Sequence, residues 1–123
     1  MNRTRLLTAA ALTASLALAA PALAAQTAST PLAGSVGPGF TITLKNKTGK
    51  AVKTLKPGSY TITVKDQSTS HDFHLFGPGV KNVITTVPFK GTKKVTVTLK
   101  AGKYTFQCDP HAASGMKGTF TVK

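Results

Sequence analysis

The stretch that decides the fold is Tyr104-Thr-Phe-Gln-Cys108-Asp-Pro-His111-Ala-Ala-Ser-Gly-Met116. It contains the only cysteine of the 123 residues, one of the three histidines and one of the two methionines. Tyr104, Phe106 and Cys108 alternate with polar residues, which is typical of a strand with one buried face. We therefore predict that Cys108 points inward at the end of a strand. A short loop with an imidazole and a thioether follows it.

The spacing within this loop favours a metal site. Taken alone, Cys108 would be a small buried hydrophobe and Met116 a residue that fills the core. His111 follows the cysteine after Pro110, whose fixed φ stiffens the loop. Gly115 lets the backbone fold back before the methionine. A thiolate, an imidazole and a thioether within nine positions can therefore reach one ion.

A fourth donor has to come from the run His71-Asp-Phe-His74. Side chains alternate between the two faces of a strand, so His71 shares its face with Phe73 and Leu75. The face with the apolar residues should be buried, which favours His71 over His74 as the ligand. Two His, one Cys and a weak axial Met are the ligands of blue-copper electron-transfer sites. We predict one copper ion, held by the following four residues: His71, Cys108, His111 and Met116.

The rest of the chain predicts an all-β fold. Apolar and polar residues alternate in several short runs, for example Tyr60–Val64 and Val95–Leu99. Gly and Pro turns separate these runs, and no segment keeps a helical period. Seven or eight short strands at regular spacing predict an antiparallel β-sandwich or barrel. We predict this domain over residues 40–123, with a flexible lead-in over residues 25–39 that is rich in Thr, Ser, Gly and Pro.

Residues 1–24 have the pattern of a secretory signal peptide. Arg3 and Arg5 precede an uncharged run, Leu6–Ala20, and Ala22-Leu-Ala24 is a typical cleavage site. The alternative is an uncleaved membrane anchor, but the run is shorter than the roughly 20 residues that a spanning helix needs. The expected location is therefore the periplasm or the cell exterior. An unpaired cysteine there suggests a free thiol, an intermolecular disulfide or a ligated sulfur, and the neighbouring His and Met favour ligation.

The charge is strongly positive. The formal net charge is +13, and without residues 1–24 the chain has 14 lysines, three aspartates and a charge of +11. One interpretation is a solvated lysine surface that keeps the protein soluble. The other is steering toward an acidic redox partner or an anionic envelope surface. Nucleic acid is not expected, because the exported chain would contain no arginine and has no aromatic-plus-basic motif.

These residues resemble the cupredoxins, the small blue-copper family of plastocyanin, amicyanin and pseudoazurin. The run from Tyr104 to His111 and the five-residue step to Met116 resemble the ligand loop of plastocyanin and pseudoazurin. The run from His71 through His74 to Leu75 resembles the His-Asn-Val-His-Phe of amicyanin, whose first histidine is the ligand. The resemblance covers roughly Phe40 to Lys123 and implies a Greek-key β-sandwich.

The resemblance implies one copper ion that carries single electrons. We also predict a monomer that is not an enzyme, because no second metal site or substrate pocket is evident and the chain is too short for a two-domain copper oxidase. The electron is expected to leave by the edge of His111, where acidic redox partners would dock transiently. One position departs from the family, which commonly has Asn where this chain has Asp72. An ionised carboxylate only accepts hydrogen bonds, so this change bears on the redox potential and on the rigidity of the cysteine loop.

Two other functions remain open at this stage. A protein that sequesters or delivers copper would need exposed, exchangeable ligands, and its Cu(I) complex would be colourless and easily stripped. A secreted β-sandwich that binds a partner without metal would keep its properties after substitution of Cys108.

Overall fold

The computed structural model describes residues 17–23 and 27–123. Within these residues the chain forms nine strands and one 3₁₀ helix. In chain order the strands are β1 (Thr30–Val36), β2 (Ile42–Asn46), β3 (Thr54–Leu55), β4 (Gly58–Asp66), β5 (Phe73–Gly77), β6 (Val80–Thr85), β7 (Gly91–Leu99), β8 (Gly102–Gln107) and β9 (Lys117–Val122). The 3₁₀ helix, Asp109–Ser114, lies between β8 and β9.

The strands form two sheets, as the predicted β-sandwich requires. One sheet has the order β2-β1-β4-β7 and the other β3-β9-β8-β5-β6. The chain crosses repeatedly from one sheet to the other, for example from β4 to β5 and from β6 to β7. The all-β sandwich predicted from the alternating runs is confirmed. Two pairings are parallel, β1 with β4 and β3 with β9, so the sandwich is not purely antiparallel.

The inward residues of the two sheets form one continuous core. The inward positions that the alternation predicted are buried in β4 and β8. In β7, Val97 and Leu99 are buried and Val95 is partly buried. Phe73 stacks on Phe106 with ring centroids 5.8 Å apart, and Tyr104 stacks on Phe120 at 5.3 Å. The Tyr104 hydroxyl lies 2.9 Å from the carbonyl oxygens of both Pro78 and Lys100, so this buried polar group is satisfied.

The predicted flexible lead-in is wrong over Thr30–Val36, because these residues form β1 in the middle of a sheet. Leu32 and Val36 are buried and belong to the core. The inward position between them is Gly34, where an added Cβ would lie 2.9 Å from Val64 and 3.1 Å from Phe73. Because a glycine occupies an inward position, the apolar alternation that identifies a strand is interrupted. The sandwich therefore begins before residue 40.

Two smaller expectations also differ from the structure, and a third lies mostly outside the described residues. The alternation of apolar and polar residues over Phe40–Leu44 predicts a half-buried strand with Phe40 on its apolar face, but Phe40 precedes β2 and is exposed. The glycine and two lysines of Gly91–Lys94 predict a basic turn, but this segment begins β7 because it pairs with the end of β4. The predicted signal peptide lies mostly outside the described residues, which exclude 1–16 and 24–26. No helix in the described part of the chain is long and apolar enough to cross a membrane.

Candidate metal centre

Three loops meet at one end of the sandwich. β1 and β4 are parallel, so the loops that follow them leave from the same end. β8 also runs toward this end, because it is antiparallel to β5, which starts there. The loops carry Phe40, His71 and Cys108 respectively. Contacts between the loops confirm this arrangement, since a Cβ added at Gly37 would lie 3.0 Å from Cδ2 of His71.

Cys108 immediately follows β8 and is completely buried. Its backbone N–H donates to the carbonyl of Met116 at 3.0 Å, and its carbonyl accepts from the N–H of His111 at 3.1 Å. Burial raises the pKa of the Cys108 thiol, and this effect outweighs the backbone N–H groups of Asp72 and His111, which favour the thiolate. Without a cation nearby, this cysteine is therefore held as a thiol.

The residues between Cys108 and Met116 form the 3₁₀ helix, a compact turn that the sequence pattern did not predict. Pro110 lies in its first turn, where a missing N–H costs nothing. Gly115 ends it with φ of 93°, a left-handed conformation that favours glycine. The Met116 N–H then donates to the His111 carbonyl at 3.2 Å. The expected fold-back at Gly115 is therefore present, and it closes the loop.

The structure brings together three of the four predicted ligands. Nδ1 of His71 lies 3.1 Å from Nδ1 of His111. Sγ of Cys108 lies 3.6 Å from Nδ1 of His71 and 3.4 Å from Nδ1 of His111. His71 is 3% exposed, whereas His111 is only half-buried. His71 is buried, as expected, but it precedes β5, and its neighbour Asp72 is buried as well. Burial therefore does not alternate over residues 71–73, and only His74, which is half-buried on β5, lies on the face opposite to Phe73 and Leu75.

The triangle of these three atoms has the size of a metal site. A point equidistant from all three lies about 2 Å from each. Zinc–nitrogen bonds in proteins are about 2.0–2.1 Å long and zinc–sulfur bonds about 2.3 Å, which gives the scale for a first-row metal. Two imidazole nitrogens and a thiolate are also donors that suit copper. Both the size of the triangle and its donor atoms therefore fit a copper ion.

Met116 lies beside this triangle and is 2% exposed. Its backbone is hydrogen-bonded to both Cys108 and His111, so it cannot move independently of them. The thioether of a methionine is a weak, soft ligand in blue-copper sites. Its role as the axial ligand remains a prediction.

Phe40 is a site residue that the sequence interpretation missed. Its ring stands edge-on to His111, with centroids 4.9 Å apart, and to His71 at 5.7 Å. The ring is nevertheless 71% exposed. The turn Gly37-Pro-Gly39 immediately before it could have indicated a loop position, because such a sequence usually ends regular structure.

Asp72 and Asp109 have different environments beside the triangle. Asp72 is buried, and burial is the main cause that raises the pKa of its carboxyl, with the charge of Asp109 adding to it. Burial acts in the same direction on Asp109, but hydrogen bonds from Gln107 and His74 outweigh it and lower the pKa of that carboxyl. Asp109 is therefore the more readily ionised of the two.

The comparisons with known proteins agree with this geometry. A sequence profile described as copper binding proteins of the plastocyanin/azurin family matches residues 33–123. Dithionite-reduced auracyanin from the photosynthetic bacterium Roseiflexus castenholzii superposes with a TM-score of 0.54 at 25% identity, over 79% of this chain and 99% of that chain. Reduced rusticyanin superposes with a TM-score of 0.52 at 24% sequence identity, over 76% of this chain and 78% of the rusticyanin chain. Rusticyanin variants superpose with a TM-score of 0.51 at 25% sequence identity, over 76% of each chain. No curated protein sequence matches.

Proposed function

We propose that this chain, which belongs to the plastocyanin/azurin family of copper-binding proteins, is a blue-copper protein that carries single electrons between redox partners. Its proposed ligands are His71, Cys108, His111 and Met116. The observation that carries the proposal is the convergence of two Nδ1 atoms and one Sγ within 3.6 Å of one another. The auracyanin structure named above is of a protein reduced with dithionite, which agrees with redox activity.

The chain's own residues keep the site rigid and dry on its inner side. Cys108, His71 and Met116 are all at most 3% exposed. The hydrogen bonds of the closed loop fix the positions of Cys108 and His111 relative to each other. A bound copper ion would supply the one-electron chemistry by alternating between Cu(II) and Cu(I). A frame that changes little between these states keeps the reorganisation energy of electron transfer low.

His111 is the proposed point of electron exit. It is the half-buried member of the triangle, whereas His71 and Cys108 are enclosed. Ala112, Ala113 and the exposed Phe40 ring provide a small apolar surface around it. Redox complexes of this kind tend to be small and transient. The lysine-rich surface would steer an acidic partner toward this end of a monomeric carrier.

Export is the second part of the proposal, and it rests on the sequence of residues 1–24. The positive start, the apolar run and the Ala22-Leu-Ala24 site are the features that support it. We expect the mature protein to begin near Ala25 and to lie in the periplasm or outside the cell. Mass spectrometry of the protein from its native host would give this N-terminus directly.

The deciding experiment is the optical and EPR spectrum of the copper-loaded mature protein. We expect an intense sulfur-to-copper charge-transfer band in the visible region and slow loss of copper to a chelator. Cys108→Ser should abolish the band, whereas Met116→Leu should keep the colour and raise the potential, because it removes an axial donor. A tetragonal Cu(II) spectrum without the band would contradict the proposal. A colourless, readily stripped Cu(I) complex would instead indicate copper sequestration or delivery.

A further inference from the structure

We propose that His74 is a positioning residue, which fixes the segment carrying Cys108 against the segment carrying His71 through its hydrogen bond to the Asp109 carboxylate. This inference rests on the proposed copper site, because it assigns a role in setting that site's geometry. We call the group of side chains involved the clasp, and it consists of Asp72, His74, Gln107 and Asp109. None of these four is a proposed ligand.

The first half of the clasp holds the side chain of Asp109. Nδ1 of His74 lies 3.0 Å and 3.1 Å from the two carboxylate oxygens. The side-chain amide of Gln107 donates to Oδ1 of the same carboxylate at 2.8 Å. His74 and Gln107 are register partners on β5 and β8. The carboxylate is therefore held by donors from both adjacent strands.

The second half of the clasp holds the backbone of the same residue. The Asp109 N–H donates to Oδ1 of Asp72 at 2.6 Å. Asp109 directly follows Cys108, and Asp72 directly follows His71. His74 lies two residues after Asp72, on the same run. Both halves thus join the same two segments, once through a backbone N–H and once through a side chain.

The ligand distances show why this connection matters. The separation of Cys108 from His111 is set within one closed loop. The separations of His71 from both of them depend on contacts between loops, and the 3.6 Å from Nδ1 of His71 to Sγ of Cys108 is the longest of the three. The clasp joins the residues next to these two ligands in sequence. It is therefore placed to fix the distance that the loop itself does not determine.

The burial of His74 also indicates a role beyond stability. Its side chain is 16% exposed, which shields its hydrogen bond to the 43% exposed Asp109 carboxylate from water. Its other ring nitrogen, Nε2, is buried and has no hydrogen-bond partner among the described residues. A buried polar atom without a partner is unfavourable. An apolar residue at this outward position of β5 would avoid that cost but could not hold Asp109.

The test compares His74→Val, which removes the donor, with His74→Gln, whose side-chain amide can still donate to Asp109. Val83→Ala is the matched control, because Val83 is the register partner of His74 on β6 and is exposed. We expect His74→Val to speed copper loss to a chelator about 10- to 100-fold, the usual scale when a group that orients a metal ligand is removed. It should also shift the reduction potential. His74→Gln should restore most of both properties.

A second measurement uses the copper-free protein, so that it does not depend on the proposed function. We expect His74→Val to reduce the hydrogen-exchange protection of the Asp109 amide, whereas Val83→Ala leaves it unchanged. In an Asp109→Ala background, His74→Val should have no further effect on copper loss. Unchanged protection in His74→Val, or effects that simply add in the double variant, would overturn the positioning role. A missing blue spectrum in the unsubstituted protein would refute the proposed function, and amide exchange would still test the clasp.

Discussion

Cys108 is a buried thiol whose pKa lies above its ordinary value, although the proposed site requires its thiolate. Its burial disfavours the negative charge, and only a bound cation can compensate for this fully. Because the pKa of this thiol is raised above its ordinary value, the metal-free protein holds a proton on the Cys108 sulfur at pH 8. The protein can thus bind copper only by releasing that proton.

We predict that Cu(II) binding at pH 8 releases one proton per ion, and that affinity rises with pH while the thiol remains protonated. The slope should be about tenfold per pH unit. Calorimetry in buffers with different ionisation enthalpies measures the proton directly. Cys108→Ser should release none from this position. Equal proton release from both proteins would show that the thiol does not titrate on binding.

Phe40 limits the access of water to the two imidazoles that it contacts edge-on. We predict that Phe40→Ala lowers the reduction potential, because the oxidised site has one more positive charge and gains more from hydration. A shift of about 59 mV would correspond to a tenfold change in the Cu(II)/Cu(I) equilibrium. Protein-film voltammetry measures it. Phe40→Leu keeps an apolar side chain and should shift the potential less. A potential that is unchanged in Phe40→Ala would mean that the exposed ring does not shield the site.

At this scale the sequence was informative where a residue's chemistry is rare. One cysteine and three histidines leave few ways to build a metal site, and strand parity separated His71 from His74. Phe40 and the clasp were not predictable in the same way. The pattern around Phe40 is that of a strand, and only tertiary contacts place its ring on the histidines. The contact of His74 with Asp109 joins residues 35 positions apart.

Among the structural elements, the pairing of β8 with β9 depends on a glycine that makes room for an aromatic ring of the core. Gly118 is the register partner of Phe106, whose ring lies over it. A Cβ at Gly118 would lie 2.3 Å from the Phe106 ring. This ring stacks on Phe73, which follows Asp72 of the clasp. The absence of a side chain at Gly118 therefore makes room for the core next to the metal centre.

We predict that Gly118→Ala lowers the free energy of unfolding of the copper-free protein by about 1–3 kcal/mol, the usual cost of overpacking a core. Urea denaturation measures this loss. Gly39→Ala is the control, because nothing lies within 4 Å of a Cβ at Gly39. It should change stability by less than about 0.5 kcal/mol. Equal effects of the two substitutions would show that the Phe106 ring moves aside freely.

β1 illustrates what a single sequence does not reveal about an element. Its residues, Thr30–Val36, include a proline and an inward glycine, so local propensity argues against a strand. The strand exists because β2 and β4 supply partners on both sides. In β4, β7 and β8 the alternation of apolar and polar residues is enough to identify a strand, so these three strands were predicted from the sequence. The 3₁₀ helix was not, because its six residues are too few for a periodic pattern.

For the molecule as a whole, positive charge far outweighs negative charge, and few carboxylates are exposed to balance it. Asp66 and Asp72 are buried, and the exposed Asp109 is paired with His74. Within residues 27–123 no lysine forms an ion pair with an aspartate. No aspartate therefore neutralises the lysine charges locally, and the protein has a positive electrostatic field around it. Their long-range field should govern encounters with charged partners.

We predict that the rate of electron transfer from a small anionic reductant such as hexacyanoferrate(II) falls as ionic strength rises. The rate with a small cationic complex should rise, because salt screens attraction in the first case and repulsion in the second. Stopped-flow kinetics at several salt concentrations measures both slopes. Equal slopes for the two reagents would show that the lysines do not influence approach to the site.

The directions of the terminal strands have a practical consequence. β1 runs toward the metal centre and β9 runs away from it, since β9 is antiparallel to β8. Thr30 and Lys123 therefore both lie toward the pole opposite to His111. The protein could be attached through Lys123 to an electrode, a fused domain or a lipid tether. The pole that carries His111 would then face away from the attachment. The topology thus makes the molecule suitable for oriented immobilisation, with the proposed electron-exit surface at His111 left free.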